Sequence, residues 1–156
     1  MLMTLVACQH AEKKREIKSA TNVKQNDLPA MQLMTTSGQP VFTKALAGKI
    51  ILILFQPECD HCQREAEQIQ HNLGAFVNYQ LYFISDVSEA ELLRFANEYN
   101  LNTHVNIHFA RTTADEILSN FGPLETPALF IYSAEGKLEN KFIGETDIQM
   151  ILSALK

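Results

Sequence analysis

Apolar residues fall into two kinds of pattern along this chain. Ile50 to Phe55 is an unbroken apolar run, and Gln80 to Ser85 and Ala128 to Tyr132 are nearly so. Runs of this length read as strands buried on both faces, because a sheet covered by helices exposes neither face to water. Elsewhere the period lengthens. After Cys59, the residues Cys62, Ala66, Ile69, Leu73 and Phe76 recur at three- and four-residue spacing. That spacing predicts a helix whose polar face is Gln63, Arg64, Glu65, Glu67 and Gln68, with Gly74 placed to end it. Ser88 with Glu91 three positions on predicts a capping box, opening a helix that buries Leu92, Leu93, Phe95, Ala96 and Tyr99. Ile117, Leu118 and Phe121 fit a short helix ending at Gly122-Pro123.

Shorter signals fill in the rest. Met31 to Met34 and Val41-Phe42 flank Ser37-Gly38-Gln39-Pro40 and read as a hairpin. Val105 to Ala110 predicts a further short strand. The turn Ser133-Ala134-Glu135-Gly136 joins the strand at Ala128 to Tyr132 to a partner over Lys137 to Ile143. Thr146 to Leu155 closes the chain as a helix. The resulting order predicts an α/β fold, a mixed sheet with helices on both faces. With 156 residues, 46% of them hydrophobic, there is enough for one domain with a real core. A formal net charge of −5 argues against a nucleic-acid partner held by a general basic surface. No apolar run approaches the ~20 residues that span a bilayer.

The chemistry sits where the first central strand ends. Gln56-Pro57-Glu58 makes a turn, and Cys59-Asp60-His61-Cys62 opens the helix. A thiol at a helix N-terminus meets free backbone N–H groups and the positive end of the helix dipole, which favour a thiolate. A second thiol one turn on lies close enough to form a disulfide with it. Redox exchange, metal binding and an inert structural disulfide are all compatible with such spacing. A structural zinc site would want two more ligands at ordered spacing; the chain has no second CxxC, and His104 and His108, four apart, would have to come from another part of the fold. A protonated His61 would lower the pKa of Cys59; Asp60 and Glu58 would raise it. Asp60 is equally a helix cap or first-turn acid.

Strand, Cys59-Asp60-His61-Cys62, helix, and a distant Thr126-Pro127 before an apolar run together resemble the thioredoxin superfamily. Ser37-Gly38-Gln39-Pro40-Val41 and the longer spacing are similar to bacterial membrane-anchored thiol–disulfide oxidoreductases of the TlpA/ResA type. The resemblance covers about Asp27 to Lys156. It implies a thioredoxin-like fold with Cys59 as nucleophile and Cys62 as resolving thiol. It further implies that Pro127 is a cis-proline lying against the disulfide, and that the Thr126 backbone binds substrate. Such an enzyme would exchange a Cys59–Cys62 disulfide with cysteine-containing protein substrates and an upstream redox partner, as a monomer without metal or organic cofactor. Three positions depart from the pattern. Glu58 replaces the aromatic residue common before the first cysteine, Ile53 stands where thioredoxin buries an acid, and Asp60-His61 is neither Gly-Pro nor Pro-His. An intermediate potential is expected, between roughly −270 and −120 mV.

Two alternatives stay open. A copper carrier similar to the Sco type would use Cys59, Cys62 and His108, although Sco cysteines are separated by three residues and not two. A peptide-binding module would hold chains beside Pro127 with little turnover. A peroxidase would need Thr three positions before its cysteine, and Gln56 stands there. Finally, Leu5-Val6-Ala7-Cys8 resembles the end of a bacterial lipoprotein signal, and Gln9 to Thr21 is polar as a tether would be. Residues 1–26 are therefore expected to be a partial signal, lipidated at Cys8, and a tether, with 27–156 the domain. The expected location is the periplasmic side of the cell envelope, with the cytoplasm as the alternative if Cys8 is incidental.

Overall fold

A computed structural model of the chain describes residues 26–156. Cys8 and all but the last residue of the expected tether lie outside that range. The sheet is built on β3 (Lys49–Leu54), the run expected to be buried on both faces, and five of its six residues are buried. It pairs in parallel with β4 (Tyr79–Ser85) and antiparallel with β6 (Ala128–Tyr132). Outside β4 lies β5 (Ile107–Arg111), then β1 (Gln32–Thr35) and β2 (Pro40–Phe42); outside β6 lies β7 (Leu138–Ile143). Seven strands thus form one mixed sheet in the order β2-β1-β5-β4-β3-β6-β7.

Alternation along β3 sorts the core into two layers. Ile51, Ile53 and Phe55 pack with Cys62, Ala66 and Ile69 of α1 (Asp60–His71), Leu92, Phe95 and Ala96 of α2 (Glu89–Glu98), and Ile151 of α4 (Ile148–Ala154). Ile50, Leu52 and Leu54 face the other way, against Leu28, Met31 and Leu33, with Ile117 and Phe121 of α3 (Ala114–Phe121) alongside. Helices therefore cover both faces. The α2 capping box forms as expected: Ser88 Oγ accepts from the Glu91 N–H, and Glu91 Oε2 accepts from the Ser88 N–H at 3.0 Å.

Several expected boundaries shift for local reasons. Helix α1 stops at His71; Leu73 and Phe76 fall in a separate 3₁₀ turn that contains Gly74, so Gly74 does not end α1. Phe76 still reaches the core, because the tighter turn swings it inward. Val105 is 95% exposed and β5 begins at Ile107, since the Ile107 N–H closes a turn onto the His104 carbonyl. Leu93, expected to be buried, is exposed. Leu93 sits a further ~100° around α2 from Leu92, off the core-facing stripe. At the closing end Asp147 caps α4, so the helix starts two residues later than expected.

The start of the described chain is tied to the β6–β7 turn. The Asp27 N–H donates to the Gly136 carbonyl at 2.7 Å, and the Asp27 carboxylate accepts from the Leu138 N–H at 3.0 Å. Gly136 has φ +75°, and a Cβ there would lie 2.5 Å from Asn26 Cβ, so glycine is required twice over.

Candidate active site

After β3 the chain turns through Gln56-Pro57-Glu58, and the Cys59 N–H closes that turn onto the Gln56 carbonyl at 3.1 Å. Below it lies a floor of phenylalanines that the sequence reading did not single out. Phe55 meets Phe83 edge-on at 5.7 Å and Phe95 at 4.7 Å, and Phe109 stacks on Phe83 at 4.8 Å. Four rings, from the end of β3 and from β4, α2 and β5, thus brace the turn that carries the first cysteine.

Cys59 is the N-cap of α1, with extended backbone (φ −87°, ψ 113°). A cap side chain normally accepts from the N–H groups of the first turn, and here the acceptor is sulfur: the Cys62 N–H donates to Cys59 Sγ at 3.4 Å. Burial acts upward on the Cys59 pKa. Donors outweigh it: the Cys62 thiol, the N–H groups of Cys62 and His61, and the Thr126 side chain together hold Cys59 below the ordinary thiol value. Cys62 is 2% exposed. Its burial, reinforced by the hydrogen bond with Cys59, pushes it up to about 12. Both thiols are free. The pair is therefore split into a partly exposed, thiolate-prone sulfur and a shielded, protonated one.

Thr126 and Pro127 come to the same place from β6. The Thr126–Pro127 peptide bond is cis, and the Thr126 carbonyl lies 3.7 Å from Cys59 Sγ, placed to accept from its S–H. Pro127 is buried. His61 is brought to the site by its backbone, while its ring turns elsewhere. Nδ1 lies 2.5 Å from Glu145 Oε2 and 2.7 Å from an Arg64 guanidinium nitrogen. Arg64 grips both Glu145 oxygens at 2.7 Å, and Arg64 and His61 together draw the Glu145 carboxyl down to about 2. So the ring belongs to an ion cluster, and its N–H is what bears on Cys59. Glu58 is 86% exposed and lies 3.7 Å from Arg94. Asp60 is a first-turn acid of α1.

One site residue was assigned to the wrong face. Glu65, expected on the polar side of α1, is 2% exposed, and its Oε1 has no hydrogen-bond partner. Burial pushes its carboxyl up to about 7, against the Thr146 N–H pulling down, with Glu145 adding repulsion. Its spacing carries the signal: Cys62, Glu65, Ala66 and Ile69 share one stripe at helical period. Ile53 is aliphatic and buried, but the domain does bury an acid, delivered by the helix.

His108 is not brought to the cysteines. It pairs across from Tyr82, stacks on that ring at 4.7 Å, and its Nε2 lies 2.9 Å from Gln80 Oε1. Tyr82 belongs to the core layer on the face opposite Cys62. Among the described residues no three His, Cys, Asp or Glu side chains are grouped to hold a metal ion.

A strand–CxxC–helix unit set against a cis-proline, in a mixed sheet covered on both faces, defines a thioredoxin-like protein. The chain belongs to the AhpC/TSA family, whose model matches residues 25–141. No curated protein matches it. Among solved structures it is similar to DsbF of MTB, at 18% identity over 83% of this chain and 94% of that one, with a TM-score of 0.70. It is also similar to a secreted Mycobacterium tuberculosis disulfide oxidoreductase homologous to Escherichia coli DsbE, at 18% identity over 81% and 94%, TM-score 0.66. Copper-bound ScoI of Arabidopsis thaliana shares the fold at 16% identity over 79% and 91%, TM-score 0.63.

Proposed function

We propose that this protein is a thiol–disulfide oxidoreductase that exchanges a Cys59–Cys62 disulfide with cysteines of protein partners in the cell envelope. The observation that carries the reading is the split between the two thiols: Cys59 lowered and reachable, Cys62 raised and buried. A thiolate attacks a disulfide, and a shielded thiol resolves the adduct. In the reducing direction, Cys59 attacks the partner's sulfur and expels its other sulfur as a thiolate. The Cys62 thiol loses its proton and attacks Cys59 Sγ, releasing the partner. Thr126 and Pro127 line the approach, and the step requires neither metal nor organic cofactor. In this reading His61 tunes Cys59 through its backbone N–H.

Location in the envelope is supported by the secreted relative from M. tuberculosis. Among the described residues no helix is long and apolar enough to cross a membrane, so lipidation at Cys8 would supply the attachment. Trapping tests the core of the proposal. Cys62→Ser should accumulate mixed disulfides with partner proteins, and Cys59→Ser should not. Equal trapping by both variants, or alkylation of Cys62 before Cys59 near neutral pH, would remove the assignment.

A further inference from the structure

A cleft of about 330 Å³ opens beside the dithiol, between the ends of β3 and β4 and helix α3. Its wall is apolar: Ile117 and Leu118 from α3, and Leu124 from the loop that follows. Thr126 lines the same cleft and also places its carbonyl 3.7 Å from Cys59 Sγ, so cleft and reacting sulfur share a residue. Leu118 is 54% exposed, a large aliphatic side chain left to water at the edge of this space. Across the cleft Asp86 is exposed. Gln56 Nε2 donates to its Oδ1 at 2.6 Å, and no cation pairs with it among the described residues.

We propose that this cleft sets substrate preference. It would favour an extended segment with a Leu-, Ile- or Met-sized side chain two residues from the reacting cysteine and a Lys or Arg next to it. The inference rests on the dithiol reading above. An extended chain presents every second side chain to the same face, about 7 Å apart. When the substrate cysteine faces Cys59, the side chain two residues away faces the protein too, where the cleft begins at Thr126. The neighbouring cation is long enough to reach Asp86 at the rim, where the carboxylate accepts from the neutral Gln56 amide and no cation among the described residues competes for its charge.

Short peptides test this, each carrying its cysteine as a mixed disulfide with thionitrobenzoate. Cys59 attacks the peptide sulfur and expels thionitrobenzoate, the better leaving group, whose colour gives the rate. Cys62 then loses its proton and displaces the peptide, which leaves as a thiolate and takes up a proton. The two cysteines lose two electrons, and the mixed disulfide becomes two thiols. The peptides carry Cys-Ala-Leu-Lys, Cys-Ala-Ser-Lys or Cys-Ala-Leu-Glu, and the same sets in reversed order, because the cleft alone does not fix chain direction. In one of the two orders the Leu-Lys peptide should exceed the Ser-Lys peptide about tenfold in the second-order rate constant for a single turnover of the pre-reduced protein, as expected for an apolar group entering an apolar pocket. In Leu118→Ser that ratio should fall below about threefold, and in Asp86→Asn the Lys-over-Glu preference should vanish while the Leu preference stays.

Equal rates for all peptides in the wild type would overturn the proposal, as would a Leu preference undiminished in Leu118→Ser. Reduction of dithiobis(nitrobenzoate), the disulfide of free thionitrobenzoate, separates the two levels. If it proceeds while the peptides are not distinguished, the cleft inference alone fails. If it does not proceed, the dithiol reading fails and takes the inference with it.

Discussion

Relative to the wild type, Glu65→Gln should gain stability as the pH rises from 5 to above neutral. In the unfolded chain this carboxyl titrates at its ordinary value of 4.5; in the fold, burial holds it up to about 7. Below pH 4.5 both states are protonated and the carboxyl imposes no pH-dependent cost. Between 4.5 and about 7 the unfolded chain releases a proton that the fold retains, so each pH unit favours unfolding by about 1.4 kcal/mol. Above 7 both states are ionised and the cost is constant at about 3 kcal/mol. The charge is buried and Oε1 lacks a partner, so solvent does little to relieve it. Such a cost is a large share of the 5–15 kcal/mol typical of a domain. For a chain of this length it corresponds to about 6–12 °C in Tm. The amide that the substitution introduces has its own burial cost, but that cost does not vary with pH and cancels between conditions. Urea unfolding from pH 5 to 8.5, with both thiols kept reduced, measures the difference between variant and wild type. It should change by about 3 kcal/mol in favour of the variant across that range. A difference that stays constant with pH would mean that Glu65 titrates alike in both states, and the argument from burial would be wrong.

Three further outcomes follow from other parts of the structure. His61→Pro should make the Cys59–Cys62 couple more reducing by about 30 mV, because it removes an N–H donor to Cys59 Sγ while proline is tolerated in the first helical turn. His61→Ala, which keeps that N–H, should shift the potential much less, and equilibration with glutathione measures both; a larger effect of Ala would return the role to the ring. Gly136→Ala should destabilise by more than the ~1 kcal/mol expected of Gly38→Ala, since both glycines have positive φ but only position 136 brings a Cβ against Asn26; matched urea midpoints would refute this. Glu145 should titrate near 2 in carboxyl NMR, and Arg64→Met should move it up towards 4.5, so that whatever stability the cluster confers is present above pH 4.5 and lost on acidification towards 2.

The sheet was legible because its strands announce themselves. Ile50 to Phe55 has no polar residue with which to face water, and its neighbours over Gln80 to Ser85 and Ala128 to Tyr132 differ little. The capping box at Ser88 and Glu91 formed as written because a cap is a local exchange of hydrogen bonds that needs no tertiary partner. Element ends were less legible for the opposite reason. Asn106 Nδ2 donates to the Phe76 and Tyr79 carbonyls, contacts 27 residues or more away in sequence, and these help fix the entry to β5. No window of local sequence contains both sides of such a bond.

The site divides along the same line. Cys59, Cys62 and the Thr126-Pro127 pair were readable because their spacing is chemistry written in sequence. The direction of the His61 ring was not, because Glu145 lies 84 residues on and draws it away. Glu65 is the more instructive case. By residue type it belongs on a polar face; by helical period it belongs to the stripe of Cys62, Ala66 and Ile69. Type and period conflict at this one position of the stripe, and period won because α1 is held by Ala66 and Ile69 against β3, both almost fully buried. The helix cannot rotate Glu65 into water without lifting Cys62 out of its layer. The burial that shields the resolving thiol and the burial that raises the Glu65 carboxyl are therefore one packing decision. Substitutions that loosen α1 at Ile69 should bring both groups back towards their ordinary pKa values together.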